Sequence, residues 1–109
     1  MSIAAKMLAR KKIHRVIDAC ADAYEVPRRR MAARRMLRPD VEARSVAAYI
    51  IRRRLGAGLS YPEIARAMGG IHHTTVIAAV ERVERMLEAD RPLAAMVDSI
   101  CMELAEVGA

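Results

Sequence analysis

Four consecutive residues, His72-His73-Thr74-Thr75, carry the side chains best suited to chemistry in this 109-residue chain, and they follow directly on Gly69-Gly70-Ile71. An imidazole can bind a metal, move a proton or hydrogen-bond a base edge, and threonine offers a hydroxyl beside a methyl. A metal site needs further ligands, but no Cys, Asp or third His falls at ligand spacing, and His14 belongs to another helical segment. Proton-transfer chemistry would require a carboxylate or nucleophile arranged with the pair, and none is. What remains is recognition. Two glycines break one short helix, and small polar side chains open the next, at the end that a duplex groove receives in helix-turn-helix proteins. The expectation is a binding protein rather than an enzyme, with no metal and no cofactor.

The charge pattern names the partner. The net charge is +6, but residues 28 to 54 hold ten arginines and no lysine against only Asp40 and Glu42. Residues 81 to 109 reverse the sign, with three arginines and seven acids. A basic half beside an acidic tail suits a polyanion. Guanidinium forks onto phosphates and enters narrow minor grooves better than an ammonium does, so double-stranded DNA is the expected partner.

These residues must be positioned by helices. Apolar residues make up 54% of the chain, Phe and Trp are absent and Tyr occurs three times, a usage that favours helix over sheet. The spacing of Ile13, Val16, Ile17 and Cys20 predicts a first helix over about 2–23. Pro27 suits the first turn of a short helix over 27–33, and residues 34–39 read as a basic loop closed by Pro39. Asp40 is the expected N-cap of a helix to about Leu55, with Val46, Ala47, Ile50 and Ile51 buried and Gly56 and Gly58 closing it. Ser60 and Glu63 have the spacing of a capping box, starting a helix through Met68. A helix over about 73–89 should bury Val76, Val80, Val83 and Leu87. Asp90-Arg91-Pro92 should start the last, about 92–106, with Leu93, Met96, Val97, Ile100 and Leu104 inward. Residues 1–109 thus read as one all-α domain, a compact bundle of five to six helices containing a helix-turn-helix. No apolar run is long enough to cross a bilayer, the start lacks the continuous apolar core of a secretion signal, and Cys20 and Cys101 read as reduced core thiols. A cytoplasmic setting on the nucleoid is expected.

At the double glycine and the threonine pair the chain resembles the C-terminal DNA-binding domain of the bacterial replication initiator DnaA. Ile64-Ala65, Met68, Gly69-Gly70, His73-Thr74-Thr75-Val76-Ile77, Ala79, Arg82 and Val83 occupy that family's frame. Leu59-Ser60-Tyr61-Pro62-Glu63-Ile64 and Arg44-Ser45-Val46-Ala47 resemble its upstream segments, and the similarity spans about residues 10–105. The resemblance implies a recognition helix in the major groove and a loop arginine in the adjacent minor groove. It places His72, His73, Thr74 and Thr75 at base edges and Arg35 or Arg38 in the minor groove. Arg44, Arg52, the backbone around Pro62, and Arg82 fall at phosphates.

Two positions depart from that pattern. Ile71 stands where the family has Lys or Arg, and His72 where it has Asp, so the readout at one or two base pairs should differ. The chain also has no GxxxxGK[ST] phosphate loop, so ATP-driven assembly is not expected of these residues. The function implied is sequence-specific occupation of initiator-like boxes, regulating replication or transcription. The competing class is a protein-interaction module that binds the replication machinery with weak or non-specific DNA affinity, an idea that rests on Ile71 and His72.

Overall fold

A computed structural model describes residues 3–32, 37–55 and 58–107. Five α-helices and no strand occur among them, in a compact bundle: α1 (Ile3–Ala23), α2 (Arg38–Tyr49), α3 (Tyr61–Ala67), α4 (His73–Leu87) and α5 (Arg91–Val107). A 3-10 helix, Arg28–Ala32, lies between α1 and α2, and α2 runs on into a π-helical turn, Ile50–Arg54. None of these helices is long and apolar enough to cross a membrane.

Each helix forms where its apolar residues recur on one face. In α1, Ile13, Val16, Ile17, Cys20 and Ala21 are all buried, the i, i+3, i+4 stripe expected of a helix lying on a core. Its end is a Schellman-type turn. The Val26 amide donates to the Ala21 carbonyl at 2.9 Å, and Glu25 takes the left-handed conformation at φ 55° that glycine usually fills. Val76, Val80 and Val83 of α4 meet Val46, Ala47, Ile50 and Ile51 of α2 and its extension in one buried cluster. Leu93, Val97 and Ile100 of α5 complete it.

The helix boundaries hold with three corrections. Residues 27–33 form a 3-10 helix over 28–32 rather than an α-helix. The expected α-helix to Leu55 widens after Tyr49, so that the Leu55 amide reaches the Ile50 carbonyl five residues back at 2.8 Å. Most consequentially, Asp40 is not a cap. Leu37 occupies the N-cap without a side-chain hydrogen bond, the helix starts at Arg38, and Pro39 sits in the first turn, where its fixed φ is already helical. Asp40 therefore falls inside the first turn and points into the protein.

By contrast, Ser60 caps α3 through both bonds of the capping box, its Oγ accepting from the Glu63 amide at 3.2 Å while its own amide donates to Glu63 Oε1 at 3.2 Å. Asp90 Oδ1 accepts from the Leu93 amide at 3.0 Å and starts α5 as anticipated. Gly69 and Gly70, both at positive φ (86° and 79°), end α3 and turn the chain into α4. Gly69 is required for a second reason: a methyl group there would overlap the carbonyl of Ala32. The turn between α3 and α4 is thereby pressed against the last described residue before the basic loop.

Candidate nucleic-acid interface

The amino end of α4 is built by His72. Its backbone is extended (φ −70°, ψ 140°) and its Nδ1 accepts from the Thr74 amide at 3.2 Å, so an imidazole serves as the N-cap. The Thr74 hydroxyl lies 2.7 Å from the same Nδ1. His73 stacks on the His72 ring with centroids 4.6 Å apart and planes inclined by 26°. His72, His73, Thr74 and Thr75 are all exposed, while Val76 directly behind them is fully buried. The four candidate base-reading side chains thus stand on the solvent side of a helix whose root is fixed in the core.

Around this end lies an open groove lined by Arg44 of α2, Pro62 and Arg66 of α3, Gly70, and His72, His73 and Thr75. It gathers three helices and half of the expected site: His72, His73, Thr75, Arg44 and Pro62. Arg66, which the sequence reading passed over, is exposed on the face of α3 toward the groove. Its signal was its spacing: Arg66 lies one residue after the buried pair Ile64-Ala65 and two before buried Met68, which turns it outward.

The remaining expected phosphate residues carry internal duties as well. Arg44 is half-buried, donates to the Arg30 carbonyl at 3.3 Å, and has its pKa lowered by that burial, though an arginine remains a cation at any physiological pH. Arg52 donates to the Leu59 carbonyl at 2.8 Å and lies over the Tyr61 ring, 4.3 Å from its centroid, tying the end of α2 to the start of α3. Arg82 donates to Ser45 Oγ across the α2–α4 contact. Arg53 and Arg54 reach Glu84 at 3.4 Å and Asp98 at 3.1 Å, bonding the same end of α2 to α4 and α5.

The basic loop is anchored at its stem. Arg30 grips Asp40 with two bonds, Nε to Oδ2 at 3.0 Å and Nη2 to Oδ1 at 2.7 Å. The Asp40 side chain is 0% exposed and that of Arg30 25%. A buried carboxylate has to be paired, which explains why Asp40 turns inward instead of capping. The expected minor-groove residue Arg35 lies outside the described residues. Arg38 is described: its side chain is 90% exposed, with Nε 3.2 Å from Glu42 one turn on. It borders a separate hollow with Glu25 and Glu42, so it is not brought into the groove of His72.

Ile71 also finds an explanation. Where the resemblance calls for a cation, this side chain is half-buried against the core, beside Val41, Ala48, Met68 and Val76.

Comparison with known proteins shows the family. The family model described as "Bacterial dnaA protein helix-turn-helix" matches residues 13–83, more than half of the chain. The chromosomal replication initiator protein DnaA of Rhizobium meliloti (strain 1021) is 34% identical over 84 residues, 77% of this chain and 17% of that protein. That of Agrobacterium fabrum is 34% identical over 89 residues, covering 82% and 17%. That of Sphingopyxis alaskensis is 39% identical over 77 residues, covering 71% and 17%. The chain matches about a sixth of the length of these relatives. It belongs to the bacterial DnaA helix-turn-helix family.

Proposed function

We propose that this member of the family is a sequence-specific double-stranded DNA-binding protein that occupies initiator-like boxes and thereby regulates replication initiation or transcription on chromosomal DNA in the cytoplasm. The amino end of α4 enters the major groove, with His72, His73, Thr74 and Thr75 at base edges. Arg44, Arg52, Arg66 and Arg82 face phosphates, as does the backbone around Pro62, which fixes register without reading sequence. A loop arginine enters the adjacent minor groove. Arg35 and Arg38 are the two candidates for that task.

The single observation that carries this reading is the groove itself, where exposed His72, His73 and Thr75 share a wall with the cations Arg44 and Arg66. Ile71, on which the competing reading of a protein-interaction module rests, is half-buried against the core, which reduces the apolar surface it could offer a protein partner. Selection of bound duplexes from a random pool, followed by titration of the winner and of random DNA at several salt concentrations, tests the function. Specific recognition retains a ratio on the order of 10³ or more over random DNA. A ratio near one at every salt concentration overturns it.

A further inference from the structure

We infer that His72 is a fixed hydrogen-bond donor to a base acceptor in the major groove, and that it reverses the polarity of readout at one base pair relative to an acidic residue in the same place. This rests on the DNA-binding function proposed above. A backbone amide can only donate, so the 3.2 Å contact from Thr74 N requires a lone pair on His72 Nδ1. In the neutral ring the proton is then on Nε2. The Thr74 hydroxyl, 2.7 Å from the same lone pair, donates to it as well. Nε2–H has no partner among the described residues, and the ring lines the open groove. Stacking by His73 at 4.6 Å fixes the ring plane and with it the direction of that N–H.

The tautomer is thus set by the helix cap. Aspartate in this position caps a helix equally well but presents only acceptor oxygens outward. Among base edges in the major groove, guanine offers two acceptors and no donor, thymine one acceptor, adenine an acceptor beside an amino group, and cytosine only its amino group. His72 therefore selects guanine first, thymine next, and rejects cytosine. Thr74, whose hydroxyl proton is directed to Nδ1, presents its methyl and oxygen lone pairs outward.

Parallel selections from a random pool with the wild-type chain and with His72→Asp test this, both proteins first shown to unfold at similar temperature. The expected result is one position that changes from guanine or thymine to cytosine or adenine while every other position is unchanged. Single-base exchanges there should alter affinity about tenfold. His72→Asn, which keeps the cap and carries both donor and acceptor, should broaden the same position. Identical preferences for wild type and His72→Asp overturn the inference and leave the function intact, as does a wild-type preference for cytosine at the position that changes. Absence of any preference in either protein overturns the function, and the inference with it.

Discussion

Asp40→Ala should both destabilise the fold and loosen the stem on which the basic loop is carried. Asp40 is wholly buried, accepts two charge-assisted hydrogen bonds from Arg30, and stands in the first turn of α2, where a negative charge also suits the helix dipole. Removing one partner of a buried pair typically costs about 3–5 kcal/mol, because the other charge is left unsatisfied. The Arg30 side chain is a quarter exposed and can recover part of its hydration, which reduces the expected loss to about 2–4 kcal/mol. Total stabilities of small domains run to about 5–15 kcal/mol, so the variant should still fold. Urea unfolding of the two proteins measures the difference. Specific DNA affinity, corrected for folded fraction, should fall several-fold, since Arg30 and Asp40 flank the loop on either side. Arg30→Met combined with Asp40→Leu should regain most of the lost stability, because no charge is then left buried, but not the specific affinity. A loss below about 0.5 kcal/mol in Asp40→Ala, the range of ordinary surface substitutions, would refute the reasoning.

Thr74→Ala should cost about 1–3 kcal/mol on the preferred duplex and little on random DNA; equal losses on both would remove Thr74 from base readout. Arg66→Ala should weaken binding to all sequences alike and reduce the slope of log affinity against log salt by about one unit, and an unchanged slope would exclude a phosphate contact there. Gly69→Ala should destabilise by more than about 3 kcal/mol, because it combines left-handed strain with a backbone overlap at Ala32. Gly70→Ala meets open space and should cost only about 1 kcal/mol, the strain alone, so comparable melting points for the two would contradict the close approach. Burial pushes the Cys20 thiol up to about 12, whereas Cys101 is half-buried and raised less. At pH 8 in native buffer Cys101 should therefore alkylate well before Cys20, and equal rates as judged by mass spectrometry would show that α1 opens readily.

The elements with strong local signals were legible from the residues. Ser60 and Glu63 sit at the spacing that lets each satisfy the other's backbone, and Val76, Val80 and Val83 recur at the period of a helix, so neither depends on distant chain. Asp40 was misread for the opposite reason. An aspartate next to a proline looks like a cap, and only the approach of Arg30, ten residues earlier and across the loop, gives it a better partner. His72 was read for what it faces and not for what it holds, since its role as a cap depends on an imidazole nitrogen reaching an amide two residues ahead. The expected base-reading residues did come out together on one exposed helix end, because they are consecutive in sequence. Arg44 and Arg66 joined them only through packing of α2 and α3 against α4.

The arginines explain one another. Arg30, Arg44, Arg52 and Arg82 each direct at least one N–H inward, to Asp40, to the Arg30 and Leu59 carbonyls, and to Ser45 respectively. A guanidinium has five donors in a rigid plane, so a bond to the protein on one edge leaves the other edge for a phosphate. Lysine can make the same inward bond only by pulling its whole point charge with it. Side chains already held in place lose less rotamer freedom when DNA arrives, a saving on the order of 0.5–1.5 kcal/mol for each one immobilised. On the DNA-binding role proposed above, arginine rather than lysine at 30, 44 and 52 would meet both demands with the same group. Replacing Arg52 with lysine tests this: the charge stays, but the Leu59 carbonyl and the Tyr61 face lose their planar partner. Stability and DNA affinity should fall together, and full retention of both would mean that charge alone accounts for the composition.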